Sequence, residues 1–145
     1  MTAYRSVSSA AGMLLAALFF SGCSAPPEEP EAPAPNANWS LLDSAAPGPG
    51  ATSLQLGVVR SGCSGGMTGK VLDSRVDYAA QRVTITVWVE PLPGGAYNCP
   101  SNETVPYTLE LREPLGEREL VDGACADPGA QGTVVCSEGG LRWEP

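Results

Sequence analysis

Among its 145 residues the chain has no histidine. That removes the commonest general base, the commonest metal ligand and the usual physiological pH switch. Against this absence stands Gly62-Cys63-Ser64-Gly65-Gly66, which matches G-x-S-x-G, the turn that offers a serine nucleophile to a histidine base. With no histidine to activate it and no helical periodicity around it, Ser64 reads as part of a glycine-rich loop that carries a disulfide cysteine. A serine and lysine dyad with Lys70, the only lysine, is the other nucleophilic arrangement, and it lacks a recognisable spacing.

Carboxylates gather at Glu110, Glu113, Glu117, Glu119 and Asp122. Paired carboxylates serve glycosidases and calcium sites, but the order here contains no EF-hand loop, and acids on strand exteriors and turns usually only solvate a surface. The leading expectation is therefore no catalytic residue, no metal site and no cofactor, with a hydrolase using carboxylates or Ser64 as the alternative. Asn102-Glu103-Thr104 is a formal glycosylation sequon. Trp88 and Tyr97 are the exposed-ring candidates for anchoring a partner or a sugar.

Charge narrows the partners. The chain carries 16 Asp plus Glu against 8 Lys plus Arg, a net of −8. Nucleic acid is excluded as an expected partner, because phosphate binding needs a basic footprint, and direct adsorption to anionic headgroups is disfavoured for the same reason.

The elements that must position these residues read as strands. Val83-Thr84-Ile85-Thr86-Val87-Trp88-Val89 alternates apolar and polar positions, and Tyr107-Thr108-Leu109-Glu110-Leu111 repeats the pattern. Weaker strand signals lie at 54–59, 70–78, 118–121, 133–136 and 141–143, separated by turn formers such as Pro91-Leu92-Pro93-Gly94-Gly95 and Asp127-Pro128-Gly129. Seven short strands with regular turn signals predict an all-β fold, a small antiparallel β-sandwich. Cys63, Cys99, Cys125 and Cys136 form an even set, expected as two disulfides in an oxidising compartment. Three pairings are possible; Cys63 with Cys99 and Cys125 with Cys136 is the favoured one.

Upstream, residues 25–50 hold seven of the 14 prolines and three glutamates, the composition of a disordered Pro-rich linker of polyproline II character. It is interrupted by Trp39-Ser40-Leu41-Leu42, read as an arm that packs on the domain or a short recognition motif. Residues 10–20 are an unbroken run of small and apolar side chains behind Arg5. As a helix they cover roughly 16 Å against about 30 Å of hydrocarbon, which suits a signal peptide better than a membrane span.

The run ends in Phe20-Ser21-Gly22-Cys23, which resembles the lipobox of bacterial lipoproteins, departing from it at Phe20, where the family usually has Leu. The resemblance implies cleavage before Cys23, a diacylglyceryl thioether on that thiol, and residence on the extracytoplasmic face of the cell membrane. Two or three acyl chains exceed what stable attachment needs. A second resemblance rests on Val87-Trp88-Val89-Glu90-Pro91-Leu92, Gly94-Gly95-Ala96-Tyr97-Asn98-Cys99 and the stretch from Pro106 to Gly123; it is similar to exported domains of actinobacteria, a group that implies a compartment and no activity. The expected organisation is 1–22 signal peptide, 23–53 lipidated cysteine and tether, and 54–145 β-sandwich. The expected function is a lipid-anchored binding or scaffold module of the cell envelope, with an envelope protein or polymer as partner.

Overall fold

Apolar alternation becomes strand at each of the two places where the sequence shows it clearly. The computed structural model describes residues 33–42 and 46–145. In it, β2 (Ser53–Arg60), β3 (Val71–Tyr78), β4 (Arg82–Val89), β5 (Val105–Glu110), β6 (Glu119–Asp122) and β7 (Leu141–Trp143) follow β1 (Ala37–Leu41). The signal peptide, Cys23 and the start of the linker lie outside the described residues.

All seven strands join one hydrogen-bonded sheet in the order β5-β2-β1-β4-β6-β7, with β3 on the other edge of β4. The pairings are antiparallel except that β6 runs parallel to β4, so the sheet is mixed and not purely antiparallel. The parallel pairing follows from connectivity. The chain leaves β4, builds β5 at the far edge beside β2, and returns through residues 111–118 to lie alongside β4. On that return Leu115, fully buried, donates its N–H to Ala51 O and plugs one end of the core.

β1 departs from the expected boundary. The tract assigned to a tether over 23–53 supplies a strand between β2 and β4, because Trp39 and Ala37 face inward and bury completely or nearly so. Trp39 is 2% exposed, and its indole N–H donates to Ile85 O at 2.9 Å. A ring that large contributes more burial than any aliphatic neighbour, and this outweighs the weak strand propensity of the surrounding prolines. Further inward residues are Leu54, Leu56 and Val58 on β2, Val83, Ile85, Val87 and Val89 on β4, and Leu109 on β5.

Residues 133–136, expected as a strand, instead start an irregular 3₁₀ segment, Val134–Gly140, and a second 3₁₀ turn covers Gly123–Ala126. Two adjacent valines favour a strand locally, but this segment bonds to its own preceding turn, Cys136 N–H to Thr133 O and Thr133 Oγ to Ala130 O, and pairs with no strand. Both disulfides have the favoured connectivity, Cys63 with Cys99 and Cys125 with Cys136. By the loop-closure argument they contribute about 4 and about 3 kcal/mol. The whole described fold belongs to the compact unit Ala32–Pro145.

Candidate functional site

The sheet forks where β4 divides one edge between two neighbours. Residues 82–85 pair with β6, while Val87 pairs with Ala37 of β1. β2 lies opposite Trp39 on one side, but on the other side β1 pairs with β4 at Ala37 alone, and side chains supply the partners that Trp39 lacks there. Trp39 N–H donates to Asp122 Oδ2 at 3.1 Å, and Trp39 C=O accepts from Arg142 Nε at 2.7 Å. Asp122 and Arg142 form an ion pair at 2.8 Å, with the aspartate side chain fully buried. Asp122 also accepts from Asn38 Nδ2 at 3.2 Å and from Ala124 N–H at 3.0 Å. A buried carboxylate is tolerated when charge and hydrogen bonds surround it, and here they tie three separate chain segments together.

That network seats a cover on the outward face of the sheet. Gly123 lies directly on β4, where an added Cβ would fall 2.0 Å from Thr86 Oγ1, and this close approach makes Thr86 a buried threonine. Gly140, with φ +82°, packs against Cys125 in the same way. The disulfide between Cys125 and Cys136 rests on Asn38, whose Nδ2 is 4.0 Å from both sulfurs. Asn38 Oδ1 accepts from Ser61 Oγ at 2.7 Å.

Two concavities remain between cover and sheet, of about 440 and 350 Å³. Asn38, Val59 and Val135 line both. The first adds Ser61, Asp127 and Thr133, and the second adds Ser40, Val134, Glu138 and Arg142. Val134 is 91% exposed and Val135 50%, on a segment with little freedom to fold them away, since a disulfide and the bonds Cys136 N–H to Thr133 O and Thr133 Oγ to Ala130 O hold it. Glu138, at the rim, has a left-handed backbone with φ 57°, a conformation disfavoured by about 1 to 2 kcal/mol for a side chain of this kind.

The residues singled out by sequence go elsewhere. Ser64 is fully buried and its hydroxyl reaches Met67 O at 2.5 Å and Asn102 Oδ1 at 2.6 Å. Asn102 Nδ2 donates to Arg60 O and Gly62 O, so both the G-x-S-x-G stretch and the sequon hold two loops together beside the bond from Cys63 to Cys99. Thr68 completes the staple, donating to Glu103 O. Lys70 is exposed, and its backbone N–H donates to Glu90.

The carboxylates are dispersed among separate partners. Glu113 pairs with Arg118, Glu119 with Arg82 and Asp122 with Arg142, while Glu110 accepts from Ser53. Among the described residues no group of three or more potential metal ligands converges. Trp88 is half-buried; its indole donates to Pro33 O and Arg75 lies over its ring at 5.9 Å. Tyr97 donates to Pro93 O from the β4–β5 loop. Neither lines the two concavities.

Sequence reasoning missed Asn38, Val134, Val135, Asp122 and Arg142 as a set. The available signal was the pair Val134-Val135, two β-branched residues without alternation, enclosed between cysteines in a glycine-rich stretch. Compared with family models, with curated proteins and with solved structures, the chain matches none.

Proposed function

We propose that this protein is a non-catalytic, lipid-anchored binding module on the extracytoplasmic face of a bacterial cell membrane. The observation that carries the binding part is the stapled cover, which presents Val134 and Val135 to solvent beside two concavities. Exposed apolar side chains held in place beside a concavity are what a partner's apolar side chains would cover. The address rests on the sequence features around Cys23, and two disulfides suit an oxidising compartment.

In this reading the tether is drawn from residues 24–32, since Pro33 and Asn36 already bond to β4 at Trp88 and Val89. At about 3.1 Å per residue of polyproline II those residues span roughly 28 Å, about a third of what the whole Pro-rich tract offers. The single sheet curls over its core in the manner of a sandwich. The support for this curl is the contact between edge strands that are not sheet neighbours, Ser74 Oγ with Tyr107 OH at 3.0 Å.

The test of the address is mass spectrometry of the mature polypeptide together with cell fractionation. The expected result is an N-terminus at Cys23 carrying a diacylglyceryl thioether, in the membrane fraction. An unmodified Cys23, or a protein free in the medium, overturns it.

A further inference from the structure

We infer that the disulfide between Cys125 and Cys136 is a redox latch: its reduction by a dithiol frees residues 127–139 from the sheet, dismantles both concavities and leaves the sheet folded. The latch concerns the face used in the binding reading above but stands apart from it, since it opens or stays shut whatever that face binds.

The strap has no other fastening. Within residues 127–139 the only buried side chain is that of Cys136, and Val134 at 91% and Val135 at 50% exposed contribute little burial. The backbone bonds of the strap are local: Ala130 N–H and Gln131 N–H to Asp127 O, Thr133 N–H to Ala130 O, Cys136 N–H to Thr133 O, and Leu141 N–H to Glu138 O. Among the described residues the one polar approach from the body of the sheet is Asn38 Nδ2, 4.0 Å from Cys136 Sγ. A segment with neither apolar burial nor ladder bonds sits at the low-stability end of a fold. The covalent bond to Cys125 is therefore what holds it down.

Cys125 itself is anchored independently. Gly123 lies on β4 against Thr86, Ala124 N–H donates to Asp122 Oδ1 at 3.0 Å, and Gly140 packs on Cys125. Asp122 in turn holds Trp39, Asn38 and Arg142, and none of these groups belongs to residues 127–139. The sheet and its buried ion pair thus keep their bonds when the strap leaves.

The other disulfide is built differently. The two loops joined by Cys63 and Cys99 are tied again by Gly65 N–H to Asn98 O at 3.1 Å, Glu103 N–H to Gly66 O at 2.9 Å and Asn102 Nδ2 to Gly62 O at 2.8 Å. Opening that bond leaves the loops in place. Cys63 and Cys99 are exposed, whereas Cys125 and Cys136 are buried, so a dithiol meets the bond from Cys63 to Cys99 first.

The step is thiol–disulfide exchange. One thiolate of the dithiol attacks a sulfur of the pair and displaces the other as a thiolate; the second thiol of the reagent then attacks the mixed disulfide and releases the remaining cysteine. Two electrons pass from the dithiol to the cystine, the reagent leaves as its cyclic disulfide, and its two protons end on Cys125 and Cys136. With the strap free, Asp127, Thr133 and Val135 leave the wall of one concavity, and Val134 and Glu138 leave that of the other. Reoxidation rebuilds both.

The test is NMR relaxation of the exported protein during stepwise reduction by dithiothreitol, with thiol alkylation and mass spectrometry identifying which bond is open at each step. Opening the bond from Cys63 to Cys99 is expected to leave backbone order parameters across residues 130–136 near about 0.85, and opening the bond from Cys125 to Cys136 to take them below about 0.6, with the β4 amide resonances unmoved. Oxidised glutathione should restore the ordered strap. Cys125→Ser with Cys136→Ser should show the open strap on a folded sheet without reductant. The inference is overturned by a strap that stays ordered after its bond opens, by a sheet that unfolds with it in the reduced protein or the variant, by a strap loosened when only the Cys63 bond is open, or by a Cys125 bond that excess dithiothreitol leaves intact. None of these outcomes decides whether the closed face binds a partner.

Discussion

Asp122 is the residue whose loss reaches furthest, because its one carboxylate serves Trp39, Asn38, Ala124 and Arg142. Asp122→Ala leaves Arg142, itself mostly buried, without a counter-charge, and removes the partner of the Trp39 N–H. Breaking a buried pair from one side typically costs about 3 to 5 kcal/mol, and denaturant unfolding of the variant should show a loss of that size. Ser64 supplies the contrast. If it is a loop staple, Ser64→Ala should cost about 1 to 2 kcal/mol and lower the melting temperature by roughly 4 to 8 °C per kcal/mol. A catalytic serine would instead leave stability untouched when removed, so a melting curve that does not move would contradict the structural role.

At the scale of elements, β1 decides whether the sheet is whole. Trp39→Ala removes the largest inward side chain of β1 and its bond to Ile85 O, and is expected to cost about 3 to 5 kcal/mol. A chain starting at Leu54 should fail to show cooperative unfolding, because β2 and β4 lose the strand between them; a sharp transition would show that β1 is dispensable.

The strands most readable in the sequence were those with one face to bury, as in Val83, Ile85, Val87 and Val89. Alternation reports burial directly. β1 was hidden because only Trp39 and Leu41 mark its inward face within a Pro-rich tract. The parallel placement of β6 could not be read, since neither strand encodes which neighbour it takes after a long detour. Val134-Val135 misled, because local β-propensity does not supply a pairing partner, and the segment closes on its own turns instead.

The candidate site was least legible of all. Asn38, Val59 and Val135 come from three distant stretches, and only the folded sheet brings them to one wall. The motifs that stood out in sequence make local contacts, Ser64 with Asn102 between two loops and Trp88 with Pro33 and Arg75.

The molecule as a whole combines an acidic surface with a small apolar face held rigid by a disulfide. Replacing Cys125 and Cys136 by serine should lower stability by about 3 kcal/mol and release the cover, with amide exchange rising across residues 123–140 and staying unchanged near Cys63 and Cys99. Uniform exchange across the sheet would contradict a locally held cover. The most direct measurement of the binding role is site-specific photocrosslinking in intact cells, with the reactive group placed at position 134 and, as control, at Gln81 in the exposed β3–β4 turn. The expected result is a discrete adduct from position 134 that is absent from position 81 and disappears when Val135→Asp is added. No adduct from position 134, or the same adducts from both positions, would contradict it.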